Sequence, residues 1–297
     1  MVDVKEIKSL KLTPFTKMSA TIYGILGLIG ALLMFVALTI IQVSGVLPQI
    51  GQFNLVTGIG VPLIILLPIG AFFSTIVASF FSVMLYNTLV PRVGGVKLEL
   101  DGNEVGKIPV ISFSLILSAI GAIWAFIVGL VLAAIISPLF SLISAISASP
   151  AAANITANIT HASGATIPTG AEVGSAGILV SIVLIIGLPI MVFVFGFIWN
   201  ALFALFYNYI VTRVAKIQLE FGQITENLHE LKQIPVIPTT LAVALVYTLL
   251  GLISGILSGN YGEFISNFII YFIETALIAL LYNYLAPKIG TIKLNLE

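Results

Sequence analysis

The chain has 297 residues, of which 59% are hydrophobic and only 8% charged, and its mean hydropathy is +1.18. Soluble domains carry about 25% charged residues, so this chain could not cover a water-exposed surface and is expected to be a polytopic membrane protein. A formal net charge of zero gives no indication of a nucleic-acid partner, and the absence of cysteine excludes disulfides and thiolate chemistry.

The hydrophobic segments, taken in chain order, predict an all-α membrane bundle of six helices, because a helix needs about 20 apolar residues to cross a bilayer. The predicted spans are 18–42, 61–89, 109–137, 176–208, 239–258 and 264–286. All twelve Lys and Arg residues lie on one side of this arrangement, at the termini and between the even-numbered and the following odd-numbered spans. Basic loops stay in the cytoplasm, so we expect an integral protein of the cell membrane with both termini cytoplasmic.

The loop 138–175 is expected to be extracytoplasmic. It contains no Lys or Arg and carries two glycosylation sequons, at Asn154 and Asn158. These sequons favour a glycosylated outer loop. The alternative is that they arise by chance in a linker rich in Asn and Thr.

An internal repeat accompanies the even-numbered spans. LYNTLVPRVGGVKLEL (85–100), FYNYIVTRVAKIQLEF (206–221) and LYNYLAPKIGTIKLNL (281–296) align without gaps. This pattern predicts three two-helix repeats, residues 1–104, 105–228 and 229–297, around an approximate threefold axis. The shared polar residues are Tyr86, Asn87 and Arg92, then Tyr207, Asn208 and Arg213, and then Tyr282, Asn283 and Lys288.

This shared motif has two interpretations. In the structural one, the tyrosine lies at the cytoplasmic membrane interface, the asparagine satisfies carbonyls of the last helical turn, and the basic side chain reaches the headgroups. In the functional one, the three asparagines form a ring at the mouth of a pore.

Short strands are predicted on the cytoplasmic side. Val96–Leu100 and Ile217–Phe221 alternate between apolar and polar residues, which is typical of half-buried strands. The turn-forming sequence Asp-Gly-Asn at 101–103 predicts a hairpin with the following residues, and 215–237 can form a second one. Strands at about 4–12 and at 292–296 would complete a small cytoplasmic β-assembly.

Mitochondrial carriers also contain three two-helix units in a chain of similar length. Their Pro-x-acid-x-x-basic motif on odd-numbered helices is absent from this sequence. The matched prolines, Pro68 and Pro189, lie in even-numbered spans. Membership of the carrier family is therefore rejected.

The segment formed by Asn87, Gly94-Gly95 and Val96-Lys97-Leu98 resembles a family of small bacterial transmembrane domains of unknown function. In that family an Asn is followed by Gly-Gly and a hydrophobic strand at the end of the domain. The other two copies depart from the pattern, with Ala215-Lys216 and Gly290-Thr291 in place of Gly-Gly. The resemblance implies no activity, cofactor or site residue.

Glu274 is the one charged residue inside a predicted span, near the bilayer midplane. A carboxylate there costs about 2.5 kcal/mol or more and is a candidate functional group. The predicted midplane polar layer consists of Glu274, Asn200, Ser79, Thr275 and Tyr271. Glu274 either carries a coupled proton or cation, or is a buried, protonated acid that is hydrogen-bonded to Asn200 or Tyr271.

The remaining motifs indicate no enzyme. Phosphate-binding loops, dinucleotide fingerprints and metalloprotease motifs are absent from the sequence, so no catalytic residue, metal site or cofactor is predicted. The first hypothesis is a non-catalytic scaffold or accessory subunit that contacts the bilayer and other membrane subunits, or its own copies. The second is a channel or transporter for small solutes or ions along the threefold axis, with Glu274 at its midplane.

Overall fold

A computed structural model of the chain describes residues 3–44, 56–149 and 170–297. Within these residues six helices are long and apolar enough to cross a membrane, which confirms the predicted number of candidate spans. The sequons at Asn154 and Asn158 lie outside the described residues. The chain packs as two compact units, one of residues 1–116 and 201–297 and the other of residues 117–200. This division does not test the predicted repeat boundaries, which stay predictions.

The helices agree with the predicted spans, and most of them extend beyond the predicted ends. α3 continues through Pro138 to Ser147, ten residues into the segment predicted as the outer loop, because these residues remain apolar and compatible with a helix. A π-helical turn, Val183–Gly187, joins α4 to α5, and another, Val56–Gly60, precedes α2. The helices are α1 (Leu12–Ser44), α2 (Val61–Val93), α3 (Val110–Ser147), α4 (Gly170–Ile182), α5 (Leu188–Tyr209), α6 (Val236–Ser258) and α7 (Glu263–Ile289).

Six strands in the first unit form one antiparallel sheet, which confirms the predicted β-assembly. Along the sheet the strands follow the order β3, β2, β1, β6, β5, β4. Two hairpins and the first and last strands contribute to it, as predicted. The strands are β1 (Asp3–Leu10), β2 (Val96–Asp101), β3 (Glu104–Lys107), β4 (Glu220–Gln223), β5 (Leu228–Gln233) and β6 (Ile292–Leu296).

The outer edge of β3 also has a partner. Val105 N–H donates to the carbonyl of Ile217 (2.8 Å), and Leu219 N–H donates to the carbonyl of Asn103 (2.8 Å). Residues 217–219 run directly into β4, so the two ends of the sheet meet and the sheet closes into a small barrel. Around this barrel, strands that lead into a helix (β1, β3, β5) alternate with strands that follow one (β2, β4, β6).

Apolar side chains fill the barrel. Residues that face each other across paired strands point to the same side of a sheet. Leu98, Leu100 and Val105 point inward from β2 and β3, and Leu294 and Leu296 point inward from β6; all five are buried. The core of the first unit therefore begins inside the barrel and continues between the adjoining helix ends.

The second unit, residues 117–200, depends on close approach between helix backbones. A Cβ added at Gly129 would collide with the carbonyl oxygen of Leu184, in the π-helical turn. A Cβ at Gly177 would lie 2.5 Å from Phe140 Cβ. Glycine is required at both positions because the facing helix leaves no room for a side chain.

Candidate functional site

The three tyrosines of the repeated motif connect helix ends to the barrel. Each hydroxyl donates a hydrogen bond to a carbonyl of the strand that leads into a helix, and accepts one from the N–H ten residues further along its own chain segment. Tyr207 and Tyr282 have almost no exposed surface. The carbonyl and N–H partners are Ile7 (2.6 Å) and Val96 (3.1 Å) for Tyr86, Val105 and Ile217 (3.0 Å) for Tyr207, and Leu231 and Ile292 (3.2 Å) for Tyr282.

The three asparagines each bind one residue where a strand becomes a helix. Asn Oδ1 accepts from the N–H of that residue and Asn Nδ2 donates to its carbonyl, with N···O distances of 2.7–2.9 Å. Each copy of the motif thus has two hydrogen bonds from its tyrosine and two from its asparagine, and we call this set of four a Tyr-Asn clamp. The clamped residues are Leu10 (by Asn87), Ile108 (by Asn208) and Ile234 (by Asn283).

The clamps change the interpretation of the asparagines. The side-chain amides do not bind the last carbonyls of their own helices, as the structural interpretation expected, because the strand-to-helix junction supplies a complete peptide N–H and C=O. Both polar groups of each amide are bonded to protein backbone. The alternative of an asparagine ring at the mouth of a pore stays a prediction; in the structure each of these amides accepts one backbone hydrogen bond and donates another.

A glutamate accompanies each clamp, and none of the three was singled out from the sequence. Each glutamate immediately precedes the residue whose carbonyl accepts from the clamp tyrosine, a relation that appears only once the strands are paired. The contacts are Glu6 Oε1 with Gly95 N–H (2.7 Å), Glu104 Oε2 with Lys216 Nζ (2.6 Å) and Glu230 Oε2 with Thr291 Oγ1 (2.7 Å).

These contacts shift the ionisation of two surface groups. The hydrogen bond from the Gly95 amide, assisted by Lys8, lowers the pKa of the Glu6 carboxyl below its ordinary value of 4.5. The hydrogen bond to Glu104 raises the pKa of the Lys216 ammonium. Both shifts favour the charged forms, so both groups contribute to holding strands and helix ends together at neutral pH.

The basic residues of the motif lie at the helix ends. Arg92 and Arg213 are exposed, while Lys288 Nζ lies 3.4 Å from the centre of the Tyr284 ring in a cation–π contact. Their predicted contact with lipid headgroups stays a prediction.

The predicted midplane residues have separate surroundings. Tyr271 stacks on Tyr247 of α6, with ring centres 3.6 Å apart, and Glu274 lies half-buried within electrostatic range of Tyr23 and Tyr247. The carboxylate of Glu274 forms no hydrogen bond to Tyr271 within the part of the chain that the structure describes. Ser79 donates to the carbonyl of Thr75 (2.5 Å) in its own helix; Thr275 is half-buried on α7, and Asn200 is half-buried at the end of the second unit.

Tyr271 thus lies at the contact between α7 and α6, and Glu274, three residues further along α7, lies within electrostatic range of Tyr247 of α6 and of Tyr23 of α1. Ser79 is satisfied within α2, and the polar layer as a whole stays a prediction. No protein-family model, curated protein or solved structure matches this chain. Fold and site are therefore interpreted from the chain's own residues.

Proposed function

We propose that this protein is a non-catalytic integral membrane scaffold, in which three two-helix repeats surround an approximate threefold axis and are tied together by the barrel. The recurrence of the clamp supports the repeat arrangement. In each copy the tyrosine's carbonyl partner lies three residues before the clamped residue, and its N–H partner lies ten residues after the tyrosine. Three local structures with the same offsets are best explained by three equivalent units.

The apolar filling of the barrel is the observation that carries the scaffold proposal. Barrels of eight strands have interiors just wide enough to be filled by side chains, and six strands enclose less space. Leu98, Val105 and Leu294 occupy that space and are buried. A solute that moved along the proposed axis would meet this hydrophobic core, whereas a conducting path needs groups that replace hydration.

The outward surfaces of the helices suit a protein that binds other membrane components. Large apolar side chains are exposed along them, including Leu33 of α1 (67% exposed) and Leu66 of α2 (63% exposed). Lipid covers such surfaces in a bilayer, and helices of a partner subunit can replace lipid there. We propose other membrane subunits as the partners, with a second copy of the chain as the alternative.

We further propose that the barrel and both termini are cytoplasmic in the cell membrane. The positive-inside rule supports this orientation, because the Lys and Arg residues lie in the barrel or in the adjoining helix turns. The chain has no cysteine, so single cysteines can report their side. A cysteine replacing Thr225 should react with an impermeant thiol reagent only in opened cells, and one replacing Ser163 should react in intact cells. The reverse result would overturn the orientation.

Cross-linking in native membranes tests the scaffold role. A photoreactive amino acid at Leu33 or Leu66 should capture a defined membrane protein in stoichiometric yield, and the same group at the buried Val246 should capture none. Purified protein in sealed vesicles should give no ion or solute flux above that of empty vesicles. Recovery of the chain alone, together with flux, would contradict the proposal.

Glu274 favours one alternative, a transporter coupled to a proton or cation. Its carboxylate lies within α7 and has no hydrogen bond or ion pair within the described residues, which is costly for a purely structural acid. If it carries the coupling ion, Glu274→Gln should abolish flux while Glu263→Gln, at the start of the same helix, preserves it. Flux that survives Glu274→Gln would exclude this coupling role.

A further inference from the structure

Glu274 lies at the edge of the exposed face of α7. Ile270, one helical turn before it, and Ile273, next to it in the chain, are both more than half exposed. On the other side of Glu274, Ile278 packs against the buried cluster that contains Ile22 of α1. The carboxylate therefore lies where the contact between α7 and α1 ends and the exposed surface of α7 begins.

Tyr23 of α1 lies beside this edge. It is within electrostatic range of the Glu274 carboxylate, and 42% of its surface is exposed. We call the surface formed by Tyr23, Ile270, Ile273 and Glu274 the Glu274 seam. It is apolar except for one carboxylate and one phenol group, and polar side chains on such surfaces commonly bond across to a second membrane helix.

The carboxylate of Glu274 has no cation beside it. In the described ranges of the chain it forms no ion pair. The six predicted spans contain no Lys, Arg or His, so neither this chain nor a second copy of it supplies a positive charge at this depth. A carboxylate inside a bilayer costs about 2.5 kcal/mol or more, and acids in such positions almost always pair with another group. A basic residue from a different membrane protein would offset that cost.

Only the third repeat carries this acid. Glu274 lies nine residues before its clamp asparagine, and the residues at the same offset in the other two copies are Ala78 and Trp199. Since two of the three copies form the same clamp without a charge at this position, the repeated architecture does not require one. Glu274 therefore serves a contact that is specific to the third repeat, which predicts one such contact per chain.

We propose that the Glu274 seam binds a transmembrane helix of a different protein, one that carries a Lys or Arg near the middle of its span. This partner rests on the proposed scaffold role and makes it more specific, because a second copy cannot neutralise the acid. Glu274 lies about 13.5 Å along the helix from Asn283, at 1.5 Å per residue. The partner's basic side chain lies at that depth and pairs with the carboxylate, while its apolar side chains pack on Ile270 and Ile273.

Synthetic transmembrane peptides test this charge pairing in phosphatidylcholine vesicles. The full chain carries a fluorescence acceptor on a single cysteine replacing Thr225, between β4 and β5, and each peptide of about 20 leucine and alanine residues carries a donor. We expect a peptide with one central Lys to give saturable energy transfer at one peptide per chain. The same peptide with Leu in place of that Lys should bind about tenfold more weakly or less, because the charge pair is lost.

Variants of the full chain locate the pairing. Glu274→Gln keeps the size of the side chain and removes its charge, so it should weaken binding of the Lys peptide about tenfold or more. Glu263→Gln is the matched control, because it removes the same charge at the start of α7, where Glu263 accepts a hydrogen bond from Ser258 (3.1 Å), and it should leave binding unchanged. Glu274→Lys should instead favour a peptide with a central Glu. Binding of the Lys peptide that survives Glu274→Gln, or equal binding of the Lys and Leu peptides, would overturn the proposal.

Cross-linking in native membranes separates this proposal from the scaffold role. A photoreactive amino acid at Ile270 should capture a membrane protein, and adding Glu274→Gln to the same chain should abolish that capture. Stoichiometric capture at Leu33 or Leu66 with none at Ile270 would leave the scaffold role standing and overturn the Glu274 seam as its docking surface. Absence of capture at all three positions would contradict both.

Discussion

Thr239 and Thr240 are adjacent residues at the start of α6. The same substitution, Thr→Val, should lower the free energy of unfolding at Thr239 and raise it at Thr240. The Thr239 hydroxyl accepts a hydrogen bond from Gln218 N–H (3.1 Å) and donates one to the Gln218 carbonyl (3.0 Å). The hydroxyl of Thr240 is fully buried and has no hydrogen-bond partner within the described residues. Thr→Val exchanges a hydroxyl for a methyl group of similar size, so the two positions differ mainly in hydrogen bonding.

The expected magnitudes follow from these contacts. Thr239→Val leaves the N–H and C=O of Gln218 unpaired, and each such group costs about 1–3 kcal/mol when it is buried. Because Gln218 is only half-buried, we expect Thr239→Val to lower the free energy of unfolding by about 1–3 kcal/mol in total. Thr240→Val removes a desolvated hydroxyl without a partner, so it should raise the free energy of unfolding by about 0.5–1 kcal/mol.

Unfolding titrations in mixed micelles, followed by far-ultraviolet circular dichroism, measure both free energies. Thr240→Ser serves as the control, because it keeps the unpaired hydroxyl and should not be stabilising. If both valine variants were destabilised equally, the reasoning would be refuted, since packing rather than hydrogen bonding would then control both positions.

Three further predictions concern a clamp, the packing of α1 against α2, and the charge on Glu6. Tyr207→Phe removes both hydrogen bonds of a fully buried hydroxyl, so it should lower the free energy of unfolding in mixed micelles by about 2–3 kcal/mol. The control is Tyr209→Phe, at a residue that is 66% exposed, and it should lower this free energy by less than about 0.5 kcal/mol. Gly27→Leu should be destabilising in the same assay by about 2 kcal/mol or more, because even a Cβ at this position would lie 2.9 Å from a side chain of α2. Gly30→Leu should be tolerated, because a Cβ at residue 30 has no atom within 4 Å. A backbone hydrogen bond lowers the pKa of Glu6, so its charge stabilises the fold above the ordinary value of 4.5, and this contribution is lost as pH falls through the lowered pKa. The stability difference between wild type and Glu6→Gln should therefore shrink below about pH 4.5 and vanish at lower pH, and a difference independent of pH would contradict it.

The spans and the sheet could be predicted because their signals are local. Runs of apolar residues predict the helices, and alternation on both sides of Asp101-Gly102 predicts the hairpin of β2 and β3. The Tyr-Asn motif was found through its recurrence, since Tyr86, Tyr207 and Tyr282 stand in the same sequence context.

The bonding of the motif could not be predicted, because its partners are distant in sequence. Asn87 binds a residue 77 positions away and Asn208 one 100 positions away. Periodicity says nothing about such pairs. The recurring glutamates were missed for the same reason, because their relation to the tyrosines appears only when the strands are paired.

One departure from the repeat has a local physical cause. Gly94 and Gly290 follow α2 and α7 with φ of +83° and +97°, a conformation that disfavours other residues. The equivalent residue in the second copy is Ala215, which does not adopt positive φ. There the α-helix ends earlier, at Tyr209, and the chain continues through a 3₁₀ turn, Val211–Arg213. The substitution of glycine was visible in the sequence, but its effect on the helix end was not.

Each clamp also holds the two helices of a pair at a fixed level relative to the barrel. A strand that becomes a membrane helix leaves the N–H and C=O of its junction residue unpaired, and an asparagine side chain offers one donor and one acceptor at the spacing of a peptide. Asn87 lies on α2 and clamps Leu10, the last residue of β1, two positions before α1 begins, so the outgoing and the returning helix are held at the same level. Sliding one helix along the other would break the two asparagine bonds and strain the two formed by Tyr86. This resistance to sliding is the rigidity that the proposed scaffold role needs, whereas alternating access requires relative movement of packed helices.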